Sequence, residues 1–356
     1  MSPSLLGAAL PVIAAPMAGG AGTPDLAIAA GRAGAFGFVA AGYQPAAAFA
    51  ADIATVAASG VPFGVNLFAP NPVTVDPTAY RDYAALLAPE AARFGVPLPA
   101  TPIEDDDDWR AKIDVLRAHP VPLISFTFGL PPAADVRSLR STGAVLAQTV
   151  TSVAEARAAA TAGMDVLVVQ AAGAGGHSGT FTPERPVPEV PLPDLVAAVR
   201  AAVSLPVVAA GGVGTAADVA AALGAGASLV AVGTVLLRAT EAGTAAPHRA
   251  ALAEPWPNEA GTATPHRAAL AEPRATVVTR AFTGRPARGL RNTFTDRYSD
   301  AAPLGYPALH HLTRPIRRAA AAAGDPEPMH LWAGAGYRHA TDEPAATILA
   351  RLSAGA

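Results

Sequence analysis

Along the first two-thirds of the chain, short runs of consecutive apolar residues alternate with longer segments in which apolar positions recur every three or four residues. The short runs are PVIAAPM (11–17), FGFVA (36–40), PFGVNLF (62–68), PLISFTF (122–128), AVLAQTV (144–150), DVLVVQA (165–171), PVVAAGG (206–212) and SLVAVGT (228–234). Continuous rather than alternating hydrophobicity marks strands covered on both faces, hence a parallel sheet. The intervening alanine-rich segments, such as PDLAIAAGRAG, VAEARAAATAG and TAADVAAALGAG, are amphipathic, and each ends in glycine, a helix stop signal. Eight β-then-α units in series predict an α/β fold, a closed (β/α)8 TIM barrel over residues 1–240, with a doubly wound sheet as the competitor.

Two regions depart from this alternation. After the third strand, residues 69–108 form a proline-rich excursion with one helical piece and an acidic run, EDDDD, read as a solvated loop and helix start rather than a metal site. Beyond the eighth strand the chain is longer than one closing helix requires, which predicts an added C-terminal helical subdomain with barrel closure over 274–356. Between them, EAGTAAPHRAALAEP (241–255) returns as EAGTATPHRAALAEP (259–273), differing only at Ala246 and Thr264. Two copies this similar suggest a local duplication rather than a solenoid, which needs three or more units. His248 and His266 are accordingly expected at the surface, not as a ligand pair.

Composition narrows the chemistry. A net charge of −3 gives no sign of nucleic-acid or anionic-membrane binding, and the absence of cysteine excludes disulfides, zinc fingers and thiol catalysis. The N-terminal apolar stretch lacks a basic n-region and is broken by Pro11 and Pro16, so it reads as a strand rather than a signal peptide. No apolar run is long enough to span a bilayer. A soluble cytoplasmic protein is expected.

In a barrel, chemistry sits at the C-terminal strand ends. Here these carry Pro16-Met17, Asn66, Thr127-Phe128, Thr149, Gln170, Gly211-Gly212 and Gly233-Thr234. Carboxylate or histidine pairs for a metal or for glycoside hydrolysis are missing, and no metal is expected. The only lysine, Lys112, falls in a helix away from the strand ends, against Schiff-base chemistry. Glycines after strands seven and eight suit a phosphate, with Thr234 as a further hydroxyl donor. Asn66 and Gln170 offer mixed donors and acceptors; taken singly, either could equally satisfy local backbone groups. Joined to a phosphate site, the two amides make FMN the natural candidate, a cofactor that performs the chemistry itself.

One histidine stands apart. In VVQAAGAGGHSGTF (168–181), His177 follows a buried strand within a glycine-rich loop over the presumed pocket, a poor place for a packing residue and a good one for proton transfer. His310-His311 is the next best candidate and could equally pack the added subdomain. Met17, Phe128 and Phe181 would keep the pocket dry and favour small alkyl groups.

These motifs resemble the nitronate monooxygenase family: PVIAAPMAGGAGTPDLA at the opening, FGVNLF in the third strand, QAAGAGGHSG around the histidine, AAGGVGTAADVAAALGAGASLVAVGT in the phosphate region, and TRAFTGRPARGL with LWAGAG in the tail. The resemblance implies FMN contacts from Ala15, Pro16, Met17, Asn66, Gln170, Gly175, Gly176, Gly211, Gly212, Ala231, Val232, Gly233 and Thr234. It implies His177 as catalytic base or substrate-orienting residue, and a substrate pocket partly closed by Gly334, Ala335 and Gly336. The implied reaction converts an alkyl nitronate, or a nitroalkane after deprotonation, and O2 to a carbonyl compound and nitrite, in a monomer or homodimer. Two departures concern substrate range: Ala171-Ala172-Gly173 stands where the family often has Gly-x-Glu, and Ala335 where relatives often carry glutamine. The alternatives are an NAD(P)H-dependent quinone or enoyl-thioester reductase on the same barrel, and a flavin-free phosphate-binding barrel.

Overall fold

The computed structural model describes residues 7–253 and 274–355. Eight parallel strands form one sheet: β1 (Val12–Ala14), β2 (Gly37–Ala40), β3 (Phe63–Phe68), β4 (Leu123–Thr127), β5 (Val145–Val150), β6 (Val166–Gln170), β8 (Val207–Ala210) and β9 (Leu229–Val232), in the order β1-β9-β8-β6-β5-β4-β3-β2. A bridge between Ile13 and Phe36 joins the two end strands and closes the ring. The fold is the (β/α)8 barrel that the apolar runs predict, and each of the eight strands lies inside one of those runs.

Both faces of the strands are buried, which is why their sequences do not alternate. Ile13, Phe36, Phe38, Leu123, Val166, Val208 and Leu229 fill the barrel interior, while Val12, Val39, Val65, Ile124, Leu146, Leu167 and Val230 belong to the larger cluster shared with the helices. Side-chain oxygens start several helices: Thr23 accepts from the Leu26 amide, Ser152 from Glu155, and Thr215 and Asp218 form a reciprocal capping box. The helix Ala345–Ser353 packs between Pro24–Arg32 and Ala216–Gly224, completing the outer ring from the far end of the sequence.

A second layer covers the C-terminal mouth. The helix Pro77–Phe94, from the excursion after β3, packs on the helix Ala308–Ala322. Tyr80, Tyr83 and Leu87 share a buried cluster with Phe282, Phe294, Leu309 and Ile316. Expected as helical, the tail also contains strands: β10 (Thr276–Thr279) and β11 (Ala287–Leu290) form an antiparallel sheet whose third member is β7 (Gly176–His177). Ala287 pairs with His177, so backbone hydrogen bonding from the tail sets the histidine's position.

Glu104, Asp105, Asp106 and Asp108 are exposed ahead of the helix Trp109–Ala118, as a solvated loop and helix start, and Asp107 alone departs from that reading. Asp107 is largely buried, accepts the Tyr43 amide at 2.9 Å and pairs with Lys112 Nζ at 2.8 Å. Burial raises its carboxyl to about 6 against the pull of that lysine. Asp105 approaches His311 at 2.8 Å, and no metal-type cluster is found among the described residues.

Candidate active site

The strand ends open into a cavity of about 320 Å3. Ala15, Pro16, Met17, Asn66, Phe128, Gln170, Gly175, Gly176, His177, Gly211, Gly212, Ala231, Val232, Gly233, Thr234, Gly334 and Gly336 all line it. Two expected pocket residues do not. Phe181 is turned into the barrel packing, its amide held by Glu155 Oε1 at 2.7 Å and its carbonyl by Asn71 Nδ2 at 3.1 Å. Ala335 is drawn onto the glycine-rich loop by its amide, which donates to the Gly173 carbonyl at 2.9 Å. The duplication also behaves differently from its surface reading. His248 lines the cavity, while His266 and the second copy lie outside the described residues.

The cavity floor is built from small groups with little room to spare. Gly211 has φ of +112°, and a Cβ there would lie 2.7 Å from the Ala171 carbonyl oxygen. At Gly175 a Cβ would sit 2.5 Å from the Gly334 nitrogen, so the tail can lie directly against the histidine loop only because both residues are glycine. Thr234 Oγ1 accepts the Gly334 amide at 2.9 Å, which leaves its proton for a ligand. Asn66 spends its amide hydrogens on Ser125 Oγ at 2.8 Å and Thr127 Oγ1 at 3.0 Å, leaving Oδ1 unclaimed by any described residue. Gln170 is occupied at both ends: Nε2 donates to the His177 carbonyl at 3.2 Å and Oε1 accepts the Gly179 amide at 2.7 Å. It positions the histidine loop. The glycine turns, the free Thr234 proton and the open Asn66 oxygen fit a flavin cofactor.

The cavity roof is of another kind. His177 is surrounded by Phe128, Tyr306 and Trp332, with ring centroids 5.6, 5.9 and 5.3 Å away. Its Nε2 lies 2.9 Å from Thr283 Oγ1. That hydroxyl also lies 3.3 Å from the Arg285 carbonyl, its only acceptor if the imidazole donates through Nε2. In this arrangement Nδ1 carries the lone pair, and no described residue bonds to it. Burial, then the charges of Arg285 and Arg317, lower the His177 pKa to about 3, so the ring is neutral. Arg285 and Arg317 are themselves buried: Arg285 donates to the Ser178, Thr180 and Phe128 carbonyls, and Arg317 to the His310 carbonyl, to Thr313 Oγ1 and to Nδ1 of His310 and of His330. Neither is paired with a carboxylate among the described residues, and Arg285 Nη1 has no hydrogen-bond partner.

Two cavity aromatics have left-handed backbones, Tyr43 at φ +67° and Phe128 at φ +84°. Such conformations cost energy outside glycine and persist only when neighbours enforce them. Asp107 holds the Tyr43 amide, and Asn71 Nδ2 holds the Phe128 carbonyl at 2.6 Å. Tyr43 then stacks on His310 at 4.3 Å. Sequence reasoning missed Tyr43, Thr283, Arg285, Tyr306, His330 and Trp332. The available signals were the two tail motifs, TRAFTGRPARGL, which holds Thr283 and Arg285, and LWAGAG, which holds Trp332.

The sequence profile of the nitronate monooxygenase family matches residues 4–355. A probable nitronate monooxygenase of Staphylococcus aureus (strain MSSA476) is 33% identical over 347 residues, 96% of this chain and 93% of the relative. Among solved structures, nitroalkane oxidase from Streptomyces ansochromogenes superposes with a TM-score of 0.86 at 41% identity, covering 98% of this chain and 96% of that one. FabK from Thermotoga maritima, at 24% identity and a TM-score of 0.70 over 98% of this chain and 93% of that one, shares the fold.

Proposed function

The chain belongs to the nitronate monooxygenase family of flavin-dependent oxidoreductases, and we propose that its cavity holds FMN and oxidises small alkyl nitronates with O2 to carbonyl compounds and nitrite. The observation that carries this reading is the pair of buried guanidinium groups, Arg285 and Arg317, beside a neutral histidine with an unclaimed Nδ1. Buried cations without carboxylate partners are costly, and an anion in the adjoining cavity relieves that cost. A nitronate is such an anion.

Bound FMN supplies the electron acceptor for this carbanion-like substrate. The protein supplies the rest. Gly211, Gly212, Gly233 and Thr234 would receive the phosphate, and Asn66 the polar ring edge. Phe128, Tyr306 and Trp332 keep water from the reacting carbon. With a neutral nitroalkane, His177 Nδ1 accepts the α-proton, and the imidazolium so formed is stabilised by the nitronate it faces. With a preformed nitronate, no proton transfer is needed and the ring orients the anion.

Mixing the purified protein anaerobically with ethyl nitronate, and separately with NADH, tests the reading. Rapid change of the flavin spectrum with nitronate but not with NADH is expected. Bleaching by NADH alone would assign a reductase instead, and a protein that takes up no flavin would overturn both.

A further inference from the structure

Two polar atoms at the cavity are unaccounted for. Thr244 Oγ1 and His248 Nε2 are each buried, and each lacks a hydrogen-bond partner among the described residues. Both belong to the first copy of the duplicated segment, where Thr244 is 9% exposed. A buried hydroxyl or imidazole nitrogen left unpaired costs about 1–3 kcal/mol, so such atoms in native proteins call for an explanation.

The surrounding chain is firmly held. Thr23 Oγ1 donates to the Glu241 carbonyl at 2.6 Å, the Gly243 amide to Ala21 at 3.1 Å, and the Ala345 amide to Glu241 Oε2 at 2.9 Å. A Cβ at Gly243 would lie 2.2 Å from the Gly20 carbonyl oxygen, so this loop lies hard against the loop after β1. Arg249 then ties the helix Ala246–Ala253 to the Arg238 and Ala239 carbonyls at 2.6 and 2.9 Å. Neither orphan atom is the by-product of a loose loop.

Their chemistry narrows the ligand. Burial holds the His248 imidazole down to about 4, so the ring is neutral. Its unpartnered Nε2 donates or accepts one hydrogen bond, according to the tautomer. A threonine hydroxyl can donate as well as accept. An aliphatic hydroxyl, which both donates and accepts, matches either atom and either tautomer of the ring.

We infer that Thr244 and His248 form a subsite for an aliphatic hydroxyl group of a molecule bound in the cavity. This rests on the cavity being the flavin and substrate site proposed above. The hydroxyl has two possible sources, the polyol chain of the flavin or a hydroxyl on the substrate.

Thr244→Val, Thr244→Ser and His248→Phe would be measured two ways: the Kd of FMN for the apoprotein by flavin fluorescence, and the ratio of kcat/KM for 3-hydroxypropyl nitronate over propyl nitronate. A substrate hydroxyl predicts that the ratio drops about five- to tenfold in Thr244→Val and His248→Phe and is retained in Thr244→Ser. A cofactor hydroxyl predicts the same pattern in the FMN Kd, with the ratio unmoved. If wild type binds FMN and turns over nitronate but neither quantity moves in any variant, the two atoms belong to water and the subsite is wrong. A wild type that binds no FMN would sink the cavity reading, and the subsite with it.

Discussion

The floor and roof of the cavity follow opposite rules. The floor is made of glycines, alanines and neutral amides at the ends of barrel strands, contributed in regular succession along the chain. The roof is made of aromatic rings, imidazoles and two arginines drawn from segments far apart in sequence, around residues 43, 107, 177, 283, 306–317 and 330. In the function proposed above, the flat, uncharged surface takes the planar group and the polar canopy handles charge and protons. The division shows how one barrel can serve as a generic holder while a grafted layer supplies selectivity.

The sharpest way to break the contrast is to give the floor a side chain. Gly211→Val combines a left-handed backbone with overlap on the Ala171 carbonyl, a penalty on the order of 4 kcal/mol, and co-purified flavin absorbance should be lost. Full flavin content in that variant would show that the floor is not the close-fitting surface described.

On the roof, His177→Asn is expected to lower kcat/KM for neutral nitroethane about 10²- to 10⁴-fold, with a smaller loss on preformed ethyl nitronate. Equal losses on the two substrates would remove the proton-transfer role. Thr283→Val, which deletes the partner of Nε2, should cost about tenfold on nitroethane, with activity restored in Thr283→Ser. No difference between the valine and serine variants would mean that Thr283 does not orient the ring.

The mildest perturbation is pH. His177 and His248 are pushed down to about 3 and 4 by burial, and His310 and His330 are also well below the ordinary value of 6.5. Between those limits the unfolded chain binds more protons than the folded one. The stability these rings contribute is therefore complete above pH 6.5 and is lost progressively as pH falls toward the folded values. Calorimetry should record a Tm drop of roughly 5 °C or more between pH 7 and pH 5, and replacing His330 by an uncharged residue should reduce it. A Tm insensitive to pH in this range would contradict the dry, neutral state of the roof.

The difference also explains what was legible in the sequence. Continuous apolar strands, glycine-terminated helices and residues at strand ends are local signals, so the barrel and Asn66, Thr234 and the glycine turns could be read directly. The roof depends on contacts between distant segments. Nothing near Tyr43 reveals that Asp107 will hold its amide, and nothing in the EDDDD run separates its buried aspartate from its solvated ones. Phe181 carries the hydrophobicity of a pocket wall, yet the buried Glu155 carboxylate draws its backbone to the other side. His248 was masked by the duplication, which made a cavity residue look like redundant surface.

The pairing of His177 with Ala287 has a consequence for how the protein comes into being. A ribosome that has released the chain only as far as Thr234 has already made the strand-end residues of the floor, from Ala15 onward, though not Gly334. The histidine has been made too, but the strand that holds its backbone has not. Synthesis therefore delivers the strand ends first and the strand that sets the histidine's backbone about fifty residues later, so a chain ended before Ala287 lacks the pairing that positions the histidine.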